Sequence, residues 1–244
     1  MMLAIQMIGT GSMFSRKYYN NNALIRSGGF NLMIDCGFTA SRALHEMGLE
    51  YGQIDGVLIT HLHGDHTGGL EELGFRMKFI YRRKMPLYLS EKLVGPLWEH
   101  CLQGTMGDGG ANQLTDFFDI RILPVNVSYR IADGLDVTLI PTKHVPGKDS
   151  YSLLINDRFF YSADCTFDPQ LLLDLYRRGV RLFFHECQLN PPAVVHTALD
   201  ELRSLPPELQ EHIWLMHYDD NKDDFLDKVG PMRFVEQHRT YPIG

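Results

Sequence analysis

The sequence is short of cysteine, of basic tracts and of long apolar runs, and each shortage removes a class of protein. Four cysteines, Cys36, Cys101, Cys165 and Cys187, lie far apart in 244 residues and form no CxxC pair. That excludes a zinc knuckle and a disulfide framework, and it points to reduced thiols in the cytoplasm, with Cys165 and Cys187 as small buried hydrophobes. No segment has the apolar length needed to cross a bilayer. Met1 to Ile8 is apolar but lacks a basic start and a small-residue cleavage site, so it is expected to be a first strand and not a signal peptide. The only basic run is Arg82-Arg83-Lys84, in a chain of net charge −7. This argues against broad binding of nucleic acid. Internal repeats and low-complexity segments are absent as well.

What is present is a globular composition, with 44% apolar residues and a length that suits one domain over residues 1–244 with a two-sheet core. Against that background one stretch stands out: His61-Leu62-His63-Gly64-Asp65-His66, after the apolar run Val57-Leu58-Ile59-Thr60 and before Thr67-Gly68-Gly69-Leu70. Four metal-binding side chains fall within six positions. A buried strand does not carry such residues unpaired, because desolvating imidazoles and carboxylates is costly. In extended chain His61 and His63 share a face, and Asp65 and His66 then turn toward a neighbouring point. The geometry predicts two metal ions a few ångströms apart, each taking two ligands from this loop. His144, in Thr142-Lys143-His144-Val145-Pro146 after an apolar run, completes a three-histidine set with His61 and His63.

This pattern, His61-x-His63-x-Asp65-His66, resembles the signature of the metallo-β-lactamase-fold hydrolases. The resemblance covers nearly the whole chain. It implies an α/β fold of the αββα type, two mixed β-sheets face to face and flanked by helices, with the metals along one edge. Tyr161-Ser162-Ala163-Asp164-Cys165-Thr166 is similar to the family's Ser-Gly-Asp-Thr block, with Ala163 in place of glycine and Cys165 inserted. Asp164 is then the carboxylate that bridges two cations about 3.5–4 Å apart. His217, at the end of Ile213 to Met216, stands where the second metal's remaining ligand is expected. The ligand sets implied are His61, His63 and His144 for one ion and Asp65, His66 and His217 for the other. Imidazole and carboxylate without thiolate suit Zn²⁺, with Mn²⁺ as an alternative. Asp35, in Asp35-Cys36-Gly37, either supports the histidine loop as in this family or serves as a turn or helix cap. Di-iron redox proteins of this fold carry an acid at the second histidine, which His63 does not match.

A second resemblance narrows the branch. His185-Glu186, followed by Ala193-x-x-His196-Thr197, is similar to the HEAT–HST pair of the tRNase Z-like phosphodiesterases. It implies His196 as general acid or phosphate clamp and Glu186 as its orienter, with Asp65 also catalytic. Between Leu89 and Ile120 there is room only for a helix and a glycine-rich loop, Gln103 to Asn112, where tRNase Z proteins carry a long basic arm. The chain therefore looks most like the compact, armless relatives, the anti-Pycsar cyclic-nucleotide phosphodiesterases and their bacterial homologues. That resemblance implies hydrolysis of cyclic mononucleotides such as cCMP, cUMP, cAMP and cGMP by a hydroxide activated between two metals, and homodimerisation. A tRNA 3′-end endonuclease without the arm, and a nucleotide-sequestering protein, are the competing readings.

Local patterns predict hairpins around Gly28-Gly29 and Asn156-Asp157 and strands at Leu3 to Ile8, Ile54 to Thr60, Leu87 to Leu89, Ile120 to Leu123, Val125 to Arg130, Leu135 to Pro141 and Val180 to Phe184. They predict helices over Thr39 to Met47, Thr67 to Phe79, Lys92 to Cys101, Asp168 to Arg178 and Ala193 to Leu205. Ser12 to Asn22 reads as a solvent-facing loop, Asp219 to Asp224 as a solvated acidic face, and Gln103 to Asn112 as spacer, lid or dimer arm.

Overall fold

Two seven-stranded sheets carry the molecule, described in a computed structural model over residues 3–107 and 110–244. The first contains β1 (Ala4–Met7), β2 (Ala23–Ser27), β3 (Phe30–Ile34), β4 (Gly56–Leu58), β5 (Met85–Leu89), β6 (Phe118–Ile122) and β14 (Thr240–Pro242). Its order is β14-β1-β2-β3-β4-β5-β6. The second contains β7 (Tyr129–Ala132), β8 (Leu135–Thr142), β9 (Ser150–Ile155), β10 (Phe159–Tyr161), β11 (Leu182–Glu186), β12 (Ile213–Met216) and β13 (Arg233–Phe234), in the order β13-β12-β11-β10-β9-β8-β7. In each sheet a hairpin-joined antiparallel part continues into a parallel part, β3 to β6 in one and β10 to β13 in the other.

Sequence pattern explains this mixture. Both predicted hairpins form, on Gly28-Gly29 between paired Ser27 and Phe30 and on Asn156-Asp157 with Arg158 as a third residue before Phe159 pairs with Ile155, and φ is positive at both named positions of each turn. The parallel strands β4 and β10 are buried at every residue, the mark of strands covered on both faces. The sheets meet through Ser90 Oγ donating to Tyr151 Oη at 2.9 Å and through edge-to-face packing of Phe184 on Tyr241, with centroids 5.2 Å apart. The helices α1 (Ala40–Glu46), α2 (Gly64–Thr67), α3 (Leu70–Phe75), α4 (Glu91–Pro96), α5 (Gln103–Met106), α6 (Pro169–Arg177), α7 (Leu199–Arg203) and α8 (Pro207–Gln210) join the strands. α1 buries Ala40, Ala43 and Leu44, and α6 buries Leu172 and Leu175. No helix among the described residues is long and apolar enough to cross a membrane.

Five local expectations need correction. The helix expected over Ala193 to Leu205 is confined to α7. After Pro191-Pro192, the chain pairs with the continuation of β11 instead: Gln188 N donates to Thr197 O at 2.8 Å and Leu199 N to Gln188 O at 3.1 Å. The strand expected from Val125 starts only at Tyr129, because Asn126 adopts a positive φ and Val125 makes a single bridge to Leu139. In the glycine-rich stretch, α5 and the turn after it occupy part of Gln103 to Asn112, while Asp108 and Gly109 lie outside the described residues.

The other two corrections are linked. Asn20, Asn21 and Asn22 are buried, although the loop they close was expected to face solvent. The acidic run is not a free solvated face, because it holds that loop down. Ser12 Oγ donates to Asp219, Asp220 accepts from Ser15 Oγ and from the backbone N–H groups of Arg16 and Lys17, and Lys17 pairs with Asp223. Within the same contact lies a buried cation, Lys222, whose ammonium is 2.9 and 3.1 Å from the Glu236 carboxylate and 5.3 Å from the ring centres of both Tyr18 and Tyr218. Lys222→Ala removes the ion pair and the packed alkyl stem together. It should lower stability by roughly 1–3 kcal/mol, read as a lower urea midpoint at unchanged slope.

Candidate metal centre

Every predicted donor follows the carboxyl end of a strand. Asp35 follows β3, His61 and His63 follow β4, His144 follows β8, Asp164 follows β10, Glu186 ends β11 and His217 follows β12. Parallel pairing of β3 with β4 and of β10 to β12, together with β8 running in the same direction as β10 across the antiparallel β9, brings these ends together, as α/β sheets commonly do at their sites. The backbone there is strained: Asp35, Ala163 and His217 have φ of 59°, 49° and 57°. Non-glycine residues seldom adopt the left-handed region, and clusters of them occur at functional sites. Ala163 thus takes a conformation that glycine adopts at no steric cost.

The histidine loop is braced from below. Asp35 accepts from Thr60 N and Thr60 Oγ1, each at 2.8 Å, and its Oδ2 lies 2.8 Å from His66 Nδ1. With Nδ1 engaged by a carboxylate, His66 presents Nε2 as its free nitrogen. This decides the earlier alternative for Asp35 in favour of support. Asn22, which local sequence gave no reason to single out, donates to Asp65 O at 3.2 Å and accepts from Gly37 N at 2.9 Å. Gly37 is required by close approach, since a Cβ there would sit 1.9 Å from Asp65 O. Gly37→Ala must therefore displace the turn that carries Asp65 and His66. We expect a loss of about 1–3 kcal/mol or more in stability, measured by denaturant unfolding, and impaired metal uptake.

The donors fall into two adjoining groups. In one, His61 Nε2 and His144 Nε2 lie 3.2 and 3.1 Å from His63 Nδ1, and Asp164 Oδ2 lies 3.6 Å from His61 and 3.8 Å from His144. In the other, Asp65 Oδ2 is 3.3 Å from both His66 Nε2 and His217 Nε2, with Asp164 at 3.3 and 3.4 Å from the same two histidines. Within each group of four the candidate ligand atoms all lie within 4.8 Å of one another, and Asp164 belongs to both. A tetrahedral ion with nitrogen ligands at about 2.0–2.1 Å sets its donors about 3.3 Å apart, which is the spacing found. Burial strengthens the fit. Asp65 Oδ1, His66 Nε2 and Asp164 Oδ1 are inaccessible to solvent and make no hydrogen bond. Orphaned polar atoms are expensive unless something else binds them.

The charges tell the same story. Burial pushes the His61 imidazole well below its ordinary pKa and brings His144 down to about 4. Burial also opposes charge on His66 and His217. Asp164, Asp65 and Asp35 overcome it at His66, which is held well above the usual range, and Asp164 with Asp65 lifts His217 to about 9. Burial would raise Asp164, but His217 and His66 outweigh it and keep the carboxyl well below the usual range. Two carboxylates buried this closely stay ionised only beside positive charge, which divalent cations would supply.

Beside the clusters, Glu186 Oε1 lies 3.0 Å from His196 Nδ1 and accepts from Cys165 N at 2.8 Å. The His196 ring is 4.9 Å from that of His144 and stacked 5.2 Å from that of His217. Burial would lower His196, but the hydrogen bond and charge of Glu186 raise it above the ordinary value. Burial raises Glu186, and the contact with His196 offsets this only in part. The irregular course of residues 189–198 is what allows this placement. Val195 O accepts from His144 Nδ1 at 2.7 Å, and Thr197 Oγ1 donates to Cys165 O at 2.9 Å. A helix would have engaged the Val195 carbonyl in its own backbone ladder. Cys165 and Cys187 are buried as expected, with thiols raised well above their usual range by burial.

With this geometry in hand, the chain can be compared with known proteins. The family model described as Anti-Pycsar protein Apyc1 matches residues 3–241. A protein named Anti-Pycsar protein Apyc1 from Saccharibacillus brassicae is 54% identical over 240 residues, covering 98% of this chain and 99% of the relative. One of the same name from Paenibacillus harenae is 51% identical over 239 residues, again covering 98% and 99%. Among solved structures, the metallo-β-lactamase fold protein YhfI from Bacillus subtilis superposes with a TM-score of 0.79 at 16% identity, covering 99% of this chain and all, 100%, of that one. At that identity the likeness concerns the fold, and it agrees with the αββα arrangement predicted.

Proposed function

The chain belongs to the anti-Pycsar Apyc1 family, and from that premise we propose that it is a two-metal phosphodiesterase that opens small cyclic mononucleotides. The observation that carries the reading is the pair of donor clusters sharing Asp164, with the Glu186–His196 couple at their rim. A mere nucleotide-binding protein has no use for that combination. The donors suit two divalent cations, Zn²⁺ first and Mn²⁺ second. Bound there, such ions would lower the pKa of a water and neutralise charge building on a phosphoryl group.

The chain's own residues then divide the remaining work. His61, His63, His144, Asp65, His66 and His217 would hold the cations, with Asp164 common to both donor groups. Asp65, whose Oδ2 lies 3.3 Å from His217 Nε2, would orient the attacking water between the two donor groups. Attack of that water on phosphorus breaks one ester bond of the ring, and the leaving alkoxide needs a proton. His196, with Nδ1 anchored on Glu186, donates that proton from Nε2. The product is a nucleoside monophosphate. Removing a cyclic-nucleotide signal in this way accounts for the anti-Pycsar name its relatives carry. The reading includes a cytoplasmic homodimer, testable by sedimentation velocity.

Metal-loaded protein incubated with cCMP, cUMP, cAMP and cGMP, and separately with precursor tRNA, tests the proposal. Nucleoside monophosphate without tRNA cleavage is expected, and tRNA cleavage without ring opening overturns it. Prolonged chelation followed by gel filtration should abolish turnover, and added Zn²⁺ or Mn²⁺ should restore it.

A further inference from the structure

A third group of metal-binding side chains adjoins the two that share Asp164. The candidate ligand atoms of Glu186, His196 and His217 lie within 4.8 Å of one another. Glu186 and His217 are buried, and the half-buried His196 ring keeps the group in reach of solvent. The Glu186 carboxylate is only half used. Oε1 accepts from Cys165 N at 2.8 Å and lies 3.0 Å from His196 Nδ1, whereas Oε2 is inaccessible to solvent and makes no hydrogen bond. A buried carboxylate oxygen without a partner is costly, and the anchoring of His196 does not employ it. The same mark, an orphaned buried donor atom beside imidazoles, attends the two cation positions at Asp65, His66 and Asp164.

Two imidazoles and one carboxylate are a donor set that Zn²⁺ accepts, with its fourth position left to water. Such a set favours Zn²⁺ over Mn²⁺. We propose that Glu186, His196 and His217 form a third cation site, filled by Zn²⁺ beyond the two-ion complement, and that filling it inhibits ring opening. An ion held there takes a lone pair of the His196 imidazole. Coordination at Nε2 removes the proton that the leaving alkoxide requires. Coordination at Nδ1 displaces the proton shared with Glu186, so the ring no longer becomes an imidazolium. Either way the general acid is lost. His217 is common to this group and to the second, so the third ion has only Glu186 and His196 to itself. It therefore binds more weakly than the first two and leaves when free metal is removed. The site stands on the geometry of the three side chains, whereas the inhibition rests on the reading of His196 as proton donor.

Equilibrium dialysis against buffered free Zn²⁺, with metal per chain read by mass spectrometry, tests the site without reference to activity. Uptake should pass a plateau of about two ions and then reach about three. Glu186→Gln and His196→Ala should each weaken the last step by at least about tenfold, the smallest cost usual even for an outer partner of a metal ligand, with the first two ions still bound. A plateau at two throughout overturns the site. So does a third ion that both variants retain, which would then sit on surface histidines, and so does loss of all three ions from both variants. Over the range in which the third ion binds, kcat for a cyclic mononucleotide should fall at least about tenfold, while turnover of a p-nitrophenyl diester, whose leaving group needs no proton, changes less than about twofold. Equal inhibition on both substrates contradicts the loss of the proton donor even where the third ion binds. Absence of ring opening by the unaltered protein would instead remove the reading of function and leave the uptake result to decide the site.

Discussion

Asp164→Asn should reduce kcat/KM for cyclic mononucleotides by at least about 10³–10⁴-fold while leaving the protein folded. The residue is buried, its two oxygens lie 3.3–3.8 Å from four histidines in both clusters, and one of them has no hydrogen-bond partner. The amide keeps the shape but loses the charge and half the acceptor capacity. Phosphoryl transfer draws several kcal/mol of stabilisation from its cations, and each 1.36 kcal/mol is a factor of ten. The change should also appear as reduced metal content in the purified variant. Full metal content with turnover within tenfold of the unaltered protein would remove Asp164 from its shared role.

His196→Ala should lower kcat by about 10²–10⁴-fold, the usual scale for a lost general acid, with metal content unchanged. The two outcomes separate because His196 binds Glu186 and sits beside the clusters without being needed to complete either group of four. The size of the loss should depend on the leaving group. An alkoxide leaving from ribose needs the proton, whereas p-nitrophenolate does not, so a p-nitrophenyl diester should lose far less. Glu186→Gln should follow the same pattern more weakly, because it leaves the imidazole in place but removes the carboxylate that raises its pKa. An equal loss on both classes of substrate would mean that His196 clamps phosphate and donates no proton.

The parts of this account that were legible in sequence are those written in local order. His61 to His66 declares its chemistry in six adjacent positions, and the strand before it shows itself by an unbroken apolar run. His144, Asp164 and His217 were legible through strand-end position and family resemblance. What escaped detection depends on partners remote in the chain. Asn22 looks like loop polarity until Asp65, 43 positions later, is seen above it. The carboxylates of Asp219, Asp220 and Asp223 look solvated until a loop more than 200 positions earlier supplies their donors. Residues 193 to 198 carry helical spacing, but their carbonyls and hydroxyls are taken by His144 and Cys165, and tertiary bonds override a weak local preference.

Metal stoichiometry is the measurement closest to the central claim. Protein saturated with Zn²⁺, freed of excess and analysed by mass spectrometry against amino-acid quantitation should contain about two ions per chain, with turnover of cyclic mononucleotide rising as the second is taken up. Full turnover at one ion per chain or fewer would contradict the shared, two-cation site on which the mechanism is built.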